Sequence, residues 1–138
     1  MNRKKLFWCV LVLALVVLIP AGLSAQNIQV AGNRYESDNL ADASQRALGL
    51  RYTEIYEFTA TEIRMIATYF YSGGDEIIIA SIKSNGFEPN VPKVDRKGTY
   101  EYEEPNVIGI DFDDGGYQRW TVREDGLYHQ RGMVLKKK

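Results

Sequence analysis

The chain has 138 residues with 17 basic and 18 acidic side chains, a single Cys and a single His. That length supports one hydrophobic core. One thiol forms no disulfide and no Cys-based zinc site within the chain, and a near-neutral charge lacks the basic face that nucleic-acid binding requires.

The first residues, Met1-Asn2-Arg3-Lys4-Lys5, carry three bases and no acid. An apolar run follows from Leu6 to Ile19 and stops at Pro20, after which come mostly small residues, Ala21 to Ala25. Basic, apolar, then small is the order of a secretory signal peptide, with cleavage placed after Ala25. The alternative is an uncleaved membrane anchor. The run reaches 18 residues only when extended to Leu23, against the roughly 20 of a spanning helix. A lipid anchor would need a Cys just after the apolar run, whereas Cys9 lies inside it. Residues 1–25 are therefore read as a signal peptide and 26–138 as a single domain, exported to the periplasm or beyond the cell. Cleavage removes the Cys and also Arg3, Lys4 and Lys5, so 14 of the 17 bases remain against all 18 acids. The mature domain is acidic and free of thiols, so its stability must come from packing.

Asn33–Glu36 is a weak first strand. Asn39–Gly49 has the pattern of a short helix, with Asn39 as a cap, Leu40, Ala43, Ala47 and Leu48 near one face and Gly49 at its end. From Arg51 onward the chain repeats one unit, a β-prone run followed by turn residues. The runs are Arg51–Phe58, Ile63–Tyr71, Glu76–Ile82, Gly98–Glu103, Val107–Phe112, Tyr117–Val122, and Leu127 with Met133–Leu135. Gly, Asp and Pro in the separators supply hairpin turns. Ser84–Lys97, holding Pro89 and Pro92, is expected to be a long loop, and Lys136-Lys137-Lys138 a solvated tail. Short gaps forbid the crossovers that parallel pairing needs, so the strands form an antiparallel meander. Strands with one apolar face each close most economically as an all-β, up-and-down barrel of about 7–9 strands with one short N-terminal helix. The large inward side chains imply a filled interior with a shallow mouth.

Part of this pattern resembles a family. The segments Lys97-Gly98-Thr99-Tyr100, Ile108-Gly109-Ile110-Asp111-Phe112-Asp113-Asp114-Gly115, Trp120-Thr121-Val122 and Glu124-Asp125-Gly126-Leu127 are similar to the C-terminal half of bacterial lipocalin-like (calycin) domains. The resemblance implies a small envelope β-barrel, some relatives of which take apolar ligands. Where lipocalins begin with Gly-x-Trp this chain has Gly32-Asn33-Arg34-Tyr35, and no family site residue carries over.

Candidate chemistry is sparse. His129 has no Cys or second His to form a triad or a closed metal site, and it reads as a solvent-facing strand residue. Asp111, Asp113 and Asp114 beside Gly115 offer oxygens to Ca²⁺, but Gly115 and Val122 stand where an EF-hand needs ligands. A hairpin turn with a glycine bulge is the plainer reading. An enzyme would need Asp111 and Asp113 to converge on a cleft, and turn carboxylates seldom do. Glu54 lies among Tyr52 and Tyr56, either as a polar anchor in a pocket or on an edge strand in water. In a pocket its carboxyl should hold its proton unless a base such as Arg64 faces it. Tyr52, Tyr56, Phe58, Tyr69, Tyr71, Tyr100, Tyr102 and Trp120 either line a binding cavity or form core. The expectation is a non-enzymatic domain without a cofactor that binds a small apolar ligand or an envelope protein. Its candidate contacts are Tyr52, Glu54, Tyr56, Tyr69, Tyr71, Tyr100, Tyr102 and Trp120. The alternative is an interaction module or inhibitor acting through an exposed sheet edge or the 84–97 loop. Contact with a membrane is expected only through the leader, if that stays attached.

Overall fold

A computed structural model describes residues 26–138, so the expected leader lies outside the described residues. Eight antiparallel strands follow in chain order: β1 (Arg34–Ser37), β2 (Arg51–Phe58), β3 (Glu62–Phe70), β4 (Lys93–Glu104), β5 (Val107–Phe112), β6 (Tyr117–Arg123), β7 (Gly126–His129) and β8 (Val134–Lys137). Each pairs with the next, and β8 pairs with β1 to close the barrel. Two short helices, α1 (Ala43–Ala47) and α2 (Glu76–Ser84), lie in the β1–β2 and β3–β4 connections.

The closure follows from strict alternation. In β2 the even positions Tyr56 and Phe58 are buried, and they pair with Met65 and Ile63, the buried odd positions of β3. The same parity puts Ile108, Ile110, Phe112, Trp120, Val122, Leu127 and Leu135 into one core with Tyr35, and Trp120, Tyr35 and Tyr56 are 0% exposed. The interior is filled at this level. Gly98 lets β4 and β5 meet there, since a β-carbon at this position would lie 2.1 Å from the Asp111 carbonyl oxygen. At the β5–β6 turn Gly115 has φ 89° and its N–H donates to the Phe112 carbonyl, which is the expected hairpin with a glycine bulge.

Several expectations need correction. Glu76–Ile82 is not a strand but most of α2. Asp75 caps it by accepting from the N–H groups of Ile77 and Ile78, and Gly86, at φ 78°, follows its end. Ile82 is buried beside Leu50 and Tyr71, with Ile78, Ile79, Tyr69 and Phe87 packed on them, while Ile77 is 82% exposed. The expected 84–97 loop is shorter, because Lys93–Lys97 already belongs to β4. Pro92 sits just outside the ladder, where its missing N–H costs no pairing. The α1 cap is Asp42 rather than Asn39. Asn39 instead accepts from Ala41 and Tyr52 N–H, at 3.0 Å each. The lysine tail is no frayed end: Lys136 and Lys137 are part of β8, and the Lys138 N–H donates to the Arg34 carbonyl.

The two ends of the barrel differ. At one end the connections are only residues 59–61, 105–106 and 124–125, and the N-terminal segment plugs the opening. Val30, 0% exposed, joins the core there. Its N–H donates to the Tyr102 hydroxyl (3.1 Å), which donates in turn to the Ile28 carbonyl (2.6 Å). The Ile28 N–H donates to Asn106 Oδ1 (2.6 Å) and the Asn106 N–H to Asn27 Oδ1 (2.9 Å). The other end, here the helical end, carries the long connections 38–50 and 71–92 with the turns 113–116 and 130–133.

Candidate functional site

The inward polar groups gather toward the helical end. Glu54 takes its place from β2, paired on both sides by β1 and β3, so it is on no sheet edge. Its carboxylate accepts from the hydroxyls of Tyr52 (3.1 Å) and Tyr56 (3.3 Å). The Tyr56 hydroxyl also lies 3.2 Å from Gln118 Oε1, which accepts from Trp120 Nε1 at 3.0 Å. Burial raises the Glu54 carboxyl above its ordinary range, opposed by the two tyrosine hydrogen bonds and by Arg96, and reinforced by Asp95. Burial, with Glu54 next, also holds the Tyr52 and Tyr56 phenols well above their usual value, so both stay neutral donors. A single phenolic proton on Tyr56 cannot serve Glu54 and Gln118 together. When Glu54 keeps its proton, the chain can run from the carboxyl to Tyr56 and on to Gln118.

The base near Glu54 is Arg96, and the register does not bring Arg64, the conditional candidate, inward. Arg64 pairs with Glu57 and Lys97 on the outer face. Arg96 stands opposite Met65, in the inward parity of Gly98, Tyr100 and Tyr102, and a bulge just beyond it, between Met65 and Ile66, leaves Asp95 unpaired. Arg96 makes a two-pronged ion pair with Asp114 (2.7 and 2.6 Å), and its guanidinium lies 3.7 Å from the Phe112 ring centre. It makes no hydrogen bond to Glu54 among the described residues.

The expected aromatic set splits into three. Tyr56, Phe58 and Trp120 are core. Tyr100 and Tyr102 face the plugged end, where the Tyr100 hydroxyl donates to the Thr59 carbonyl (2.7 Å) and Tyr102 holds the plug. Tyr52 and Tyr69 stack at 4.6 Å and meet Phe87 at 6.4 and 5.0 Å, with Tyr71 buried beneath α2. His129 is also corrected. Half-buried at the end of β7, its ring packs 4.9 Å from Trp120, and its Nδ1 accepts from the Arg131 N–H. Sequence reading missed Gln118 and Arg96. Both were legible in principle, since Gln118 shares the parity of Trp120 and Arg96 that of Gly98, Tyr100 and Tyr102, but the expectation of a loop over 84–97 hid Arg96.

A groove of about 520 Å³ opens at the helical end between Tyr117, Gln118 and Arg119 on one side and His129, Gln130, Arg131 and Met133 on the other. Among the described residues no three His, Cys, Asp or Glu side chains gather to hold a metal ion. No described helix is long and apolar enough to cross a membrane.

Fold and site together define a closed, eight-stranded up-and-down barrel, plugged at one end and bearing the helices, the long connections and the inward polar groups at the other. No family model, no curated protein and no solved structure matches the chain.

Proposed function

We propose that this is an exported, calycin-like envelope domain without catalytic activity that binds a small, largely apolar molecule at its helical end. One observation carries the reading. The large apolar side chains that stand exposed among the described residues (Leu40, Leu48, Ile77, Val91 and Tyr117) all belong to the helical end, on its connections or the first residue of β6. Exposed apolar surface gathered on one face favours a binding role over packing. The filled interior directs a ligand to that face and away from the barrel axis. Gln118 links the groove to the Trp120 indole, so occupancy should be visible in its emission. Intrinsic fluorescence titrated with fatty acids and haem-like compounds, with Trp120→Phe as the blank, should show a saturable change. Unchanged spectra across that panel would remove the ligand.

The alternative, an interaction module working through the 84–97 segment, draws on the exposed Val91. Its sheet-edge form is set aside, because every strand is paired on both sides. Retention of one envelope protein that is lost when residues 86–91 are replaced by a Gly-Ser linker, together with silent titrations, would favour it.

A further inference from the structure

We infer that the groove between β6 and the β7–β8 connection is a subsite for a carboxylate carried on a short apolar group, an inference that rests on the ligand-binding reading above. An indole N–H can only donate, so the Gln118 side-chain atom that faces Trp120 Nε1 must be the oxygen. With the Tyr56 hydroxyl on that same oxygen, the Gln118 amide nitrogen is left with two N–H groups that donate to nothing among the described residues. His129 Nδ1 accepts from the Arg131 backbone, which puts the proton of the neutral ring on Nε2 and makes that nitrogen a donor as well. Arg131 is exposed and forms no ion pair among the described residues.

The other two polar side chains of β6 in the groove are already engaged. Arg119 donates to Glu103 (2.9 Å) and Glu104 (2.5 Å), and the Tyr117 hydroxyl donates to Glu103. Glu103 is the extra residue of a bulge in β4 and is turned to those partners on the outer face. No carboxylate lines the groove itself, and Met133, packed against the core, supplies its apolar wall. Three donors lining one groove, one of them a guanidinium, beside a thioether select an anionic acceptor with an apolar neighbour over an amine. The planar guanidinium suits the two oxygens of a carboxylate.

Hexanoate, hexanol and hexylamine, titrated into the ¹⁵N-labelled protein, test this directly. Hexanoate should shift the Trp120 indole N–H and the Gln118 side-chain amide resonances saturably, and hexylamine should not. Arg131→Gln should weaken hexanoate about tenfold, and Arg131→Glu should abolish its binding, with the remaining spectrum unchanged because the side chain is exposed. Hexanol or hexylamine binding as well as hexanoate, or Arg131→Gln leaving the hexanoate affinity unaltered, would overturn the carboxylate subsite while the ligand-binding reading stood. Silence from all three compounds would overturn both.

Discussion

The plugged end and the helical end belong to the same eight strands, yet they are made of different chemistry. At the plugged end the connections are a few residues long, and the N-terminal segment is bound through Tyr102 and Asn106, with Val30 at 0% exposure. At the helical end the connections are long, Ile77 stands 82% exposed, and the half-buried Glu54 carboxyl has phenols as its partners. At the first end the Ile28, Val30 and Asn106 backbone groups are hydrogen-bonded and Val30 is packed into the core, and such packing is how a small domain without disulfides gains stability. The second end accepts exposed apolar surface and a half-buried acid, both of which cost stability and are retained in proteins where they serve recognition.

Substitutions that break this contrast rank by burial. Val30→Asp places an unpaired carboxylate in the plug, and urea unfolding should show a loss of at least about 3 kcal/mol. A loss below about 1 kcal/mol would mean that the plug contributes little to the barrel. Tyr102→Phe removes the hydroxyl that serves both Val30 and Ile28, which should cost about 1–3 kcal/mol. It should also speed exchange of the Val30 amide hydrogen, and unchanged exchange at Val30 would separate the plug from Tyr102. Glu54→Gln at the helical end should act the other way and least. A carboxyl whose folded value lies above its ordinary 4.5 stabilises the fold fully below that value, and the contribution is lost as pH rises through the raised one. The variant should therefore melt slightly higher than the parent at pH 7 and lose that advantage at acid pH. A variant that melts lower at pH 7 would show that the ionised carboxylate supports the fold.

Much of this was legible in the sequence, and its gaps have physical causes. The boundaries of β2 and β5 follow directly from alternation, because a strand buried on one face has no other way to arrange Tyr52 to Phe58 or Val107 to Phe112. Glu54 could be placed on the inner face by the same rule, although its surroundings could not. The failure at Ile77-Ile78-Ile79 came from β-branched propensity, which is weak next to capping and tertiary packing. Asp75 and Gly86 were the available helix signals, and Ile82, one turn beyond Ile78, was the periodic one. The plug was invisible because Val30 and Tyr102 meet across 72 residues with no local pattern to announce the contact.

The seam between β1 and β8 has a consequence for how the molecule comes together. Lys136 reaches Asp38 across 98 residues, and the Tyr35–Lys137 and Ser37–Leu135 pairs span a similar separation. Ring closure over such a length costs more entropy than any neighbouring hairpin, so this join is the natural last event of assembly. Until it forms, β1 and β8 each present a raw edge to other chains, and both edges vanish together when the two strands zip into place.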